Sequence, residues 1–174
     1  PTHHNGFILF DDPAYVTKNP YVTGGLTVAG VAWAIGATEA ANWHPVTWIA
    51  HMLDVSLFGL NPAGHHASSL ALHAVTAVLL FFVLGSLTGR LWWSLCAAAL
   101  FALHPLRVES VAWAAEKKDV LAGLFWMLTM GLYVRFTRRP GFGRFAAVIA
   151  VFALGLAAKP MLVTLPIVLF LLDW

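Results

Sequence analysis

The sequence predicts an all-α polytopic membrane protein, and three observations support that fold class. Hydrophobic residues make up 60% of the 174 residues and charged residues only 10%, whereas soluble domains contain about 25% charged residues. The mean hydropathy is +0.78. Apolar runs long enough for helices recur along the chain between short polar loops. We therefore expect a single transmembrane domain over residues 1–174, which is part of a longer membrane protein because the chain stops inside an apolar run.

The clearest membrane span is Ser68–Leu87, twenty residues with one histidine and no formal charge. This length matches the ~30 Å hydrocarbon core of a bilayer. A short turn, Thr88–Leu91, separates it from the next apolar run, so the two runs predict a helical hairpin. Later runs are shorter than ~20 residues and must extend, tilt or pack against protein. The predicted spans are about 68–87, 92–104, 119–134, 145–158 and 161–174.

Residues 11–67 form a predicted first outer loop, rich in Gly, Pro, Trp and His. Within it, Pro45–Phe58 opens with proline, which is favourable at the first helical position. At 100° per residue, an apolar stripe lies opposite a polar group. The pattern predicts an interfacial amphipathic helix lying on the membrane. The apolar stripe contains Val46, Ile49, Leu53 and Leu57, and the polar side contains Thr47, His51 and Asp54.

Loop charges predict the orientation of the domain. If successive loops alternate between the two sides of the membrane, the basic residues divide evenly into two groups. One group lies in acid-free loops, which is typical of the cytoplasmic side, and the other is mixed with seven of the eight carboxylates on the outer side. The net charge of only +2 does not indicate nucleic-acid binding. The first group is Arg90, Arg135, Arg138, Arg139 and Arg144, and the second is Lys18, Arg107, Lys117, Lys118 and Lys159.

Two adjacent carboxylates, Asp11 and Asp12, follow an apolar run in the stretch GFILFDDPAYVTKNPYV. One interpretation is that they simply reach water at the end of a span, where Asp-Pro also favours a turn. The other is that one of them is a general base at the mouth of a membrane cavity. Adjacent side chains point apart, so at most one would act as the base.

A second acidic group lies in the stretch HPLRVESVAWAAEKKD, His104–Asp119. If the chain is helical from Val108 onward, Glu109, Glu116 and Asp119 share one face next to the membrane. Three acids on one face repel one another unless they meet cations or a substrate. The alternative is a solvated loop with local ion pairs. Nearby cations are Arg107, Lys117 and Lys118.

Lys159 lies between two apolar runs, directly before Pro160, which ends a helix. An isolated ammonium there is costly unless it reaches water, pairs with an acid or binds an anion such as a lipid phosphate. We interpret it as an anion-binding candidate.

The histidines and the single cysteine, Cys96, do not form a recognised metal or redox motif. The adjacent pair His65 and His66 has side chains that point apart, and no HExxH pattern is present. His73 lies inside the long span and could bind haem or a pigment, although such a histidine more often bonds to a neighbouring helix. We expect no metal and no cofactor.

Five stretches, in order, resemble bacterial relatives of the transmembrane and tetratricopeptide-repeat O-mannosyltransferases, a family of C-type membrane glycosyltransferases. The resemblance covers nearly the whole chain and implies a C-type helical bundle. Members of the family also have a span before the acidic motif, further spans after this region and usually soluble repeats. The stretches are FDDPAYVTKNPYV, NWHPVTWIAHMLD, LFGLNPAGHH, HPLRVESVAWAAEKKDVL and AKPMLVTLPIVLFLLDW.

The resemblance implies a polyprenyl-phosphate sugar as donor, with mannose or a similar hexose, and a protein Ser or Thr hydroxyl as acceptor. It implies that Asp11-Asp12 holds the catalytic carboxylate and that the reaction takes place on the outer face of a bacterial cytoplasmic membrane. Glu109, Glu116 and Asp119 are then supporting acids. The candidates for stabilising the departing phosphate are Lys159, Arg107, Lys117, His65 and His66.

Two other functions stay open at this point. The chain could be a non-catalytic scaffold or accessory subunit of a larger membrane complex. It could also be a pigment- or haem-binding subunit that uses His73. An absorption spectrum of the purified protein would separate the second from the transferase.

Overall fold

The computed structural model describes residues 6–8, 10–39 and 42–173, and within these ranges it contains helices and turns but no strand. The all-α prediction is therefore confirmed. The predicted last span reaches Trp174, which lies outside the described residues. The helices are α1 (Pro20–Thr23), α2 (Val28–Gly36), α3 (Pro45–Phe58), α4 (Pro62–Thr88), α5 (Leu91–Leu103), α6 (Val108–Ala112), α7 (Lys117–Arg138), α8 (Phe142–Ala158) and α9 (Leu165–Asp173).

Two helical segments are long and apolar enough to cross a bilayer, namely Pro62–Thr88 and Ala114–Arg138. A third crossing is available if Leu91–Leu103 and Pro105–Ala112, which meet at a bend of 52°, form one broken span. The bend lies at His104-Pro105, where proline cannot continue the helix. Two shorter apolar helical segments, Phe142–Ala158 and Pro160–Asp173, complete the membrane-like part of the described residues.

The long helices form a bundle in which α7 packs between α4 and α8, while α5 folds back along α4. Gly89 makes that reversal, because its φ of 68° lies in the left-handed region that favours glycine. An apolar cluster of Val83, Met130 and Leu165 joins α4, α7 and α9. The bundle therefore fixes the ends of α4, α7 and α8 relative to one another.

The segment before α3 packs onto one end of this bundle through an aromatic core. Tyr15 stacks on Trp48 with ring centroids 4.9 Å apart, and Trp48 also contacts Trp33 at 5.2 Å. Val16, Met52 and Ala115 are buried in the same cluster. This core holds the stretch that contains Asp11 and Asp12 against the turn before α7.

Helix α3 turns its polar side into the protein. Thr47 and His51 are fully buried and Asp54 is 5% exposed, whereas Leu53 and Leu57 on the apolar stripe are 45% and 64% exposed. The polar side chains therefore face the protein interior, where Thr47 and Asp54 have hydrogen-bond partners. The exposed leucines form an apolar outer face, so α3 is amphipathic with its polar side buried in protein and not turned to water.

The two ends of the bundle carry different charges. Arg138 donates a hydrogen bond to the carbonyl of Ser86, and Tyr133 donates to Asp173, so the arginine-rich loops gather at one end. Seven of the eight carboxylates precede or lie at the start of α7, and Lys159 pairs with Asp119 at that end. The chemically interesting groups thus lie at the end opposite the arginine loops.

Candidate functional site

Asp12 is a structural anchor in the acidic stretch. Its side chain is fully buried. One carboxylate oxygen accepts the backbone N–H of Ala115 at 2.8 Å, and the other accepts the N–H of Ile8 at 2.8 Å. Because both oxygens are occupied by backbone donors, Asp12 ties the N-terminal segment to the turn before α7 and is poorly placed to take a proton.

Asp11 differs from its neighbour because it is only partly buried. In the described part of the chain this carboxylate accepts no hydrogen bond and forms no ion pair. The backbone carbonyl of Asp11 accepts the N–H groups of Ala14 and Tyr15 at 2.9 and 3.0 Å, which fixes the turn. Of the two acids, Asp11 is therefore the one with a carboxylate available to a substrate.

The helix expected from Val108 onward is interrupted at Trp113. Trp113 has an extended backbone (φ −106°, ψ 120°) between α6 and a 3₁₀ turn at Ala114–Glu116. An interruption leaves backbone N–H groups without acceptors within the helix. The carboxylate of Asp12 supplies the acceptor for Ala115. The buried acid therefore stabilises the break in the helix, and the N–H group freed by the break gives the acid a partner.

Lys159 pairs with Asp119, as a half-buried cation between apolar runs requires. The pair joins the C-terminal end of α8 to the first turn of α7. Thr47 on α3 supports the position by donating to the carbonyl of Ala158 at 2.9 Å. Helices α3, α7 and α8 therefore meet next to Lys159.

A cavity of about 920 Å³ opens next to this ion pair. Arg107 lies over the ring of Phe101 at 4.6 Å, which orients its guanidinium. Three carboxylates, a guanidinium and an imidazole share the cavity with apolar side chains. The polar lining residues are His104, Arg107, Glu109, Ser110, Glu116 and Asp119.

A second cavity of about 500 Å³ meets the first at Phe101, Arg107 and Asp119. Its lining is mostly apolar and comes largely from the membrane-spanning part of α7 and the segment after Lys159. The two cavities together form a cleft that is acid-rich on one side and apolar on the other. We call this the open cleft. The apolar lining includes Gly123, Trp126, Met127, Met161 and Leu162.

The structure divides the five predicted phosphate-binding residues into two groups. Arg107 and Lys159 line the open cleft. Lys117, His65 and His66 are buried, with at most 1% of each side chain exposed, and they do not line either described cavity. The three predicted supporting acids, Glu109, Glu116 and Asp119, do line the larger cavity.

Two of these buried residues, Lys117 and His65, belong to a set of polar side chains between α3, α4 and α7. The carboxylate of Asp54 pairs with Lys117 and accepts the hydroxyl of Ser68 at 2.9 Å. His65 lies 3.6 Å from the same carboxylate, and His51 is buried beside it. We call His51, Asp54, His65, Ser68 and Lys117 the buried polar cluster.

Sequence reasoning did not find this cluster. The polar side of α3 was visible in the pattern of Thr47, His51 and Asp54. Its partners are 11 to 63 residues away in the chain, as His65 and Lys117 are from Asp54, and helical spacing gives no information about such distant contacts.

Two buried histidines outside the membrane-spanning helices are held in the neutral form. Burial is the main cause that lowers the pKa of His44 to about 4, with a smaller contribution from Lys118. Burial also holds the pKa of His51 well below its ordinary value, and the charge of Lys117 acts in the same direction.

His73 makes the contact that is usual for a histidine inside a membrane span. Its Nε2 lies 3.2 Å from the carbonyl of Ala102, and its ring stacks on Phe101 at 5.2 Å. Because a carbonyl only accepts, Nε2 carries the proton. His73 therefore links α4 to α5 by a hydrogen bond.

Comparison with curated proteins finds relatives that share the name protein O-mannosyl-transferase. The chain is 30% identical over 141 residues to the protein O-mannosyl-transferase Tmtc2 of Drosophila melanogaster, an alignment that covers 76% of this chain and 15% of that protein. It is 30% identical over 139 residues to the human protein O-mannosyl-transferase TMTC1, covering 75% of this chain and 16% of that protein. The chain is a relative of the TMTC protein O-mannosyltransferases.

The chain is 28% identical over 148 residues to the human protein O-mannosyl-transferase TMTC4, an alignment that covers 72% of this chain and 20% of that protein. The chain thus spans about a sixth of the length of the TMTC relatives it matches. No family model and no solved structure matches it. The apolar helices and these relatives together indicate that the chain belongs to a membrane protein.

Proposed function

We propose that the protein is part of a C-type glycosyltransferase of the bacterial cytoplasmic membrane. It transfers mannose or a similar hexose from a polyprenyl-phosphate donor to a Ser or Thr hydroxyl of an acceptor protein. The reaction takes place on the outer face, where the end of the bundle opposite the arginine loops lies. The names of the TMTC relatives support the transferase class.

The open cleft is the observation that carries this proposal. A lipid-linked sugar has a polar head and a long apolar tail, so its site needs both environments next to each other. The acid-rich cavity and the apolar cavity meet at Arg107 and Asp119. We place the sugar in the first cavity, the polyprenyl chain in the second and the phosphate at their junction.

The acceptor hydroxyl needs a base, and Asp11 is the candidate. Its carboxylate has no hydrogen-bond or ion-pair partner among the described residues. Asp11 itself lines neither cavity, but its neighbour Asp12 is bound to Ala115, which directly precedes Glu116, a residue of the cavity wall. A carboxylate is too weak a base to ionise an alcohol beforehand. The proton therefore moves to Asp11 as the hydroxyl oxygen bonds to the anomeric carbon, and the phosphate leaves from the opposite side with inversion.

The leaving phosphate gains negative charge. Arg107 lies at the junction of the cavities, and Lys159 lines the apolar cavity, where it pairs with Asp119 of the junction. Arg107 offers a planar set of donors that suits a phosphate, and its guanidinium is held by Phe101. Lys159 contributes a second positive charge from the other side, and in the free protein Asp119 neutralises it. Fixed cations at this position stabilise the transition state more than the ground state.

The test compares two neighbouring acids in a transfer assay with polyprenyl-phosphate mannose and Ser/Thr-containing peptides. We expect Asp11→Asn to reduce the transfer rate by about 10²–10⁴-fold, the usual contribution of a general base. Its thermal unfolding in detergent stays at the wild-type temperature, because Asp11 supports little of the structure. Asp12→Asn instead lowers the unfolding temperature. A wild-type transfer rate in Asp11→Asn would contradict the assignment.

A further inference from the structure

Three side chains of the buried polar cluster form a compact set of metal-ligand atoms. His51 and Asp54 lie one turn apart on the same face of α3, and His65 comes from the first turn of α4. One ligand atom from each lies within 4.8 Å of the others, and all three residues are buried. Ligands spaced by one helical turn and completed by a neighbouring helix are a common way to build metal sites in helical bundles.

The hydrogen bond of His65 leaves a lone pair facing the carboxylate. Its Nε2 lies 2.9 Å from the carbonyl of Gly59 and must be the protonated nitrogen, because a carbonyl only accepts. Neutral His65 therefore presents an unprotonated Nδ1, 3.6 Å from an oxygen of Asp54. Two electron-pair donors that face each other at this distance repel unless a cation lies between them. An outer hydrogen bond of this kind also orients histidine ligands in metal sites.

His51 adds an unsatisfied group to the same place. It is fully buried, and neither ring nitrogen has a hydrogen-bond partner among the described residues. A buried polar group without a partner is costly. A metal ion bound to one nitrogen would remove that cost.

We propose that His51, Asp54 and His65 bind a divalent transition metal, with Zn²⁺ as the best match. Two imidazoles and one carboxylate are ligands that Zn²⁺ prefers, with a fourth position left for water or another ligand. Ca²⁺ and Mg²⁺ prefer all-oxygen sites and fit less well. The metal would join α3 to α4. This inference is independent of the proposed transferase activity.

Lys117 is the resident cation with which a metal must compete. Its ammonium binds the same Asp54 carboxylate and also the hydroxyl of Ser68. A divalent ion and an ammonium cannot both contact one carboxylate in a buried site without strong repulsion. Metal binding therefore requires the lysine side chain to move away from Asp54. Removal of the ammonium should increase metal affinity.

The experiment uses the native-length protein, purified in detergent without a histidine tag and stripped with a chelator. Zn²⁺ is titrated by calorimetry, and Co²⁺ serves as a spectroscopic probe whose visible bands report four-coordinate nitrogen and oxygen ligation. We expect one equivalent to bind. His51→Gln and His65→Gln should each weaken binding by about 10- to 100-fold or more. His66→Gln is the matched control, because His66 is equally buried but not in the set, and it should bind as the wild type.

A gain-of-affinity variant gives a result that a folding defect cannot produce. Lys117→Met should bind Zn²⁺ more tightly than the wild type, because the competing ammonium is gone. The proposal is overturned if the wild type binds no metal, or if both glutamine variants bind it as the wild type does. It is also overturned if only Lys117→Met binds, because Lys117 would then be the permanent cation of the cluster.

Discussion

The open cleft and the buried polar cluster use the same kinds of side chain under opposite conditions. In the cleft, the pair of Lys159 and Asp119 leaves 22% and 27% of the side chains exposed. In the cluster, the pair of Lys117 and Asp54 leaves 1% and 7% exposed. Water and ligands reach the first pair, whereas only protein surrounds the second. Exposure, and not residue type, therefore separates the groups available for chemistry from those that hold the fold.

The largest expected effect is on stability in the buried polar cluster. Lys117→Met leaves the charge of Asp54 buried without its main partner, so unfolding in detergent should become easier by about 3–5 kcal/mol. Chemical unfolding in the presence of a chelator measures this change. The double variant Lys117→Met with Asp54→Leu should recover most of the loss, since no buried charge is left. A single variant as stable as the wild type would show that the pair is not buried.

The next largest effect is expected on stability in acid, and it comes from the buried residue His44. The pKa of His44 is lowered from 6.5 to about 4 by burial, so between these pH values the unfolded chain binds more protons than the folded chain. Folding should therefore weaken as pH falls from 6.5 towards 4. In His44→Gln this part of the pH dependence should be lost, giving a shallower curve of unfolding temperature against pH. An unchanged slope would contradict the neutral, buried state of His44.

A smaller effect is expected at the contact that joins the two regions. Thr47→Val removes the hydroxyl that binds the carbonyl of Ala158, and the lost hydrogen bond should cost about 1 kcal/mol. Transfer should fall as well, because Lys159 follows directly after Ala158. Thr47→Ser retains the hydroxyl and serves as the control. If Thr47→Ser lost as much transfer as Thr47→Val, the hydroxyl would not be the cause.

The smallest stability effect is expected in the open cleft. Lys159→Met breaks a pair that water reaches, so the free energy of unfolding should change by less than about 1 kcal/mol. Transfer should nevertheless fall, since a cation at the leaving phosphate is lost. The contrast with Lys117→Met in the same unfolding assay tests the comparison between the two regions. Equal losses of stability in Lys159→Met and Lys117→Met would contradict the proposed difference between the open cleft and the buried polar cluster.

Local sequence patterns contained much of the helical architecture. The apolar run Ser68–Leu87 lies inside α4, and Pro45–Phe58 is helical over the same residues that the pattern indicated. Helix α4 starts six residues earlier than the run, at Pro62, where Asn61 accepts the N–H of Ala63 at 3.1 Å. The six added residues contain two histidines, both buried, and helix α3 packs against α4.

The contacts that define both sites could not be read in this way. Asp12 meets Ala115 across 103 residues, and Thr47 meets Ala158 across 111. Helical periodicity indicates which side chains share a face, but not which other element covers that face. For the same reason the sequence grouped Lys117 with Arg107, although the first is buried against Asp54 and the second lines the cleft.

The most direct test of the central claim is the binding of polyprenyl phosphate, the product of the proposed transfer, to three variants in detergent. We expect Arg107→Ala and Lys159→Ala to weaken binding by about tenfold or more, because each removes a cation from the phosphate position. Arg90→Ala, at the opposite end of the bundle, should bind as the wild type does. Unchanged binding by both cleft variants would contradict a donor site in the open cleft.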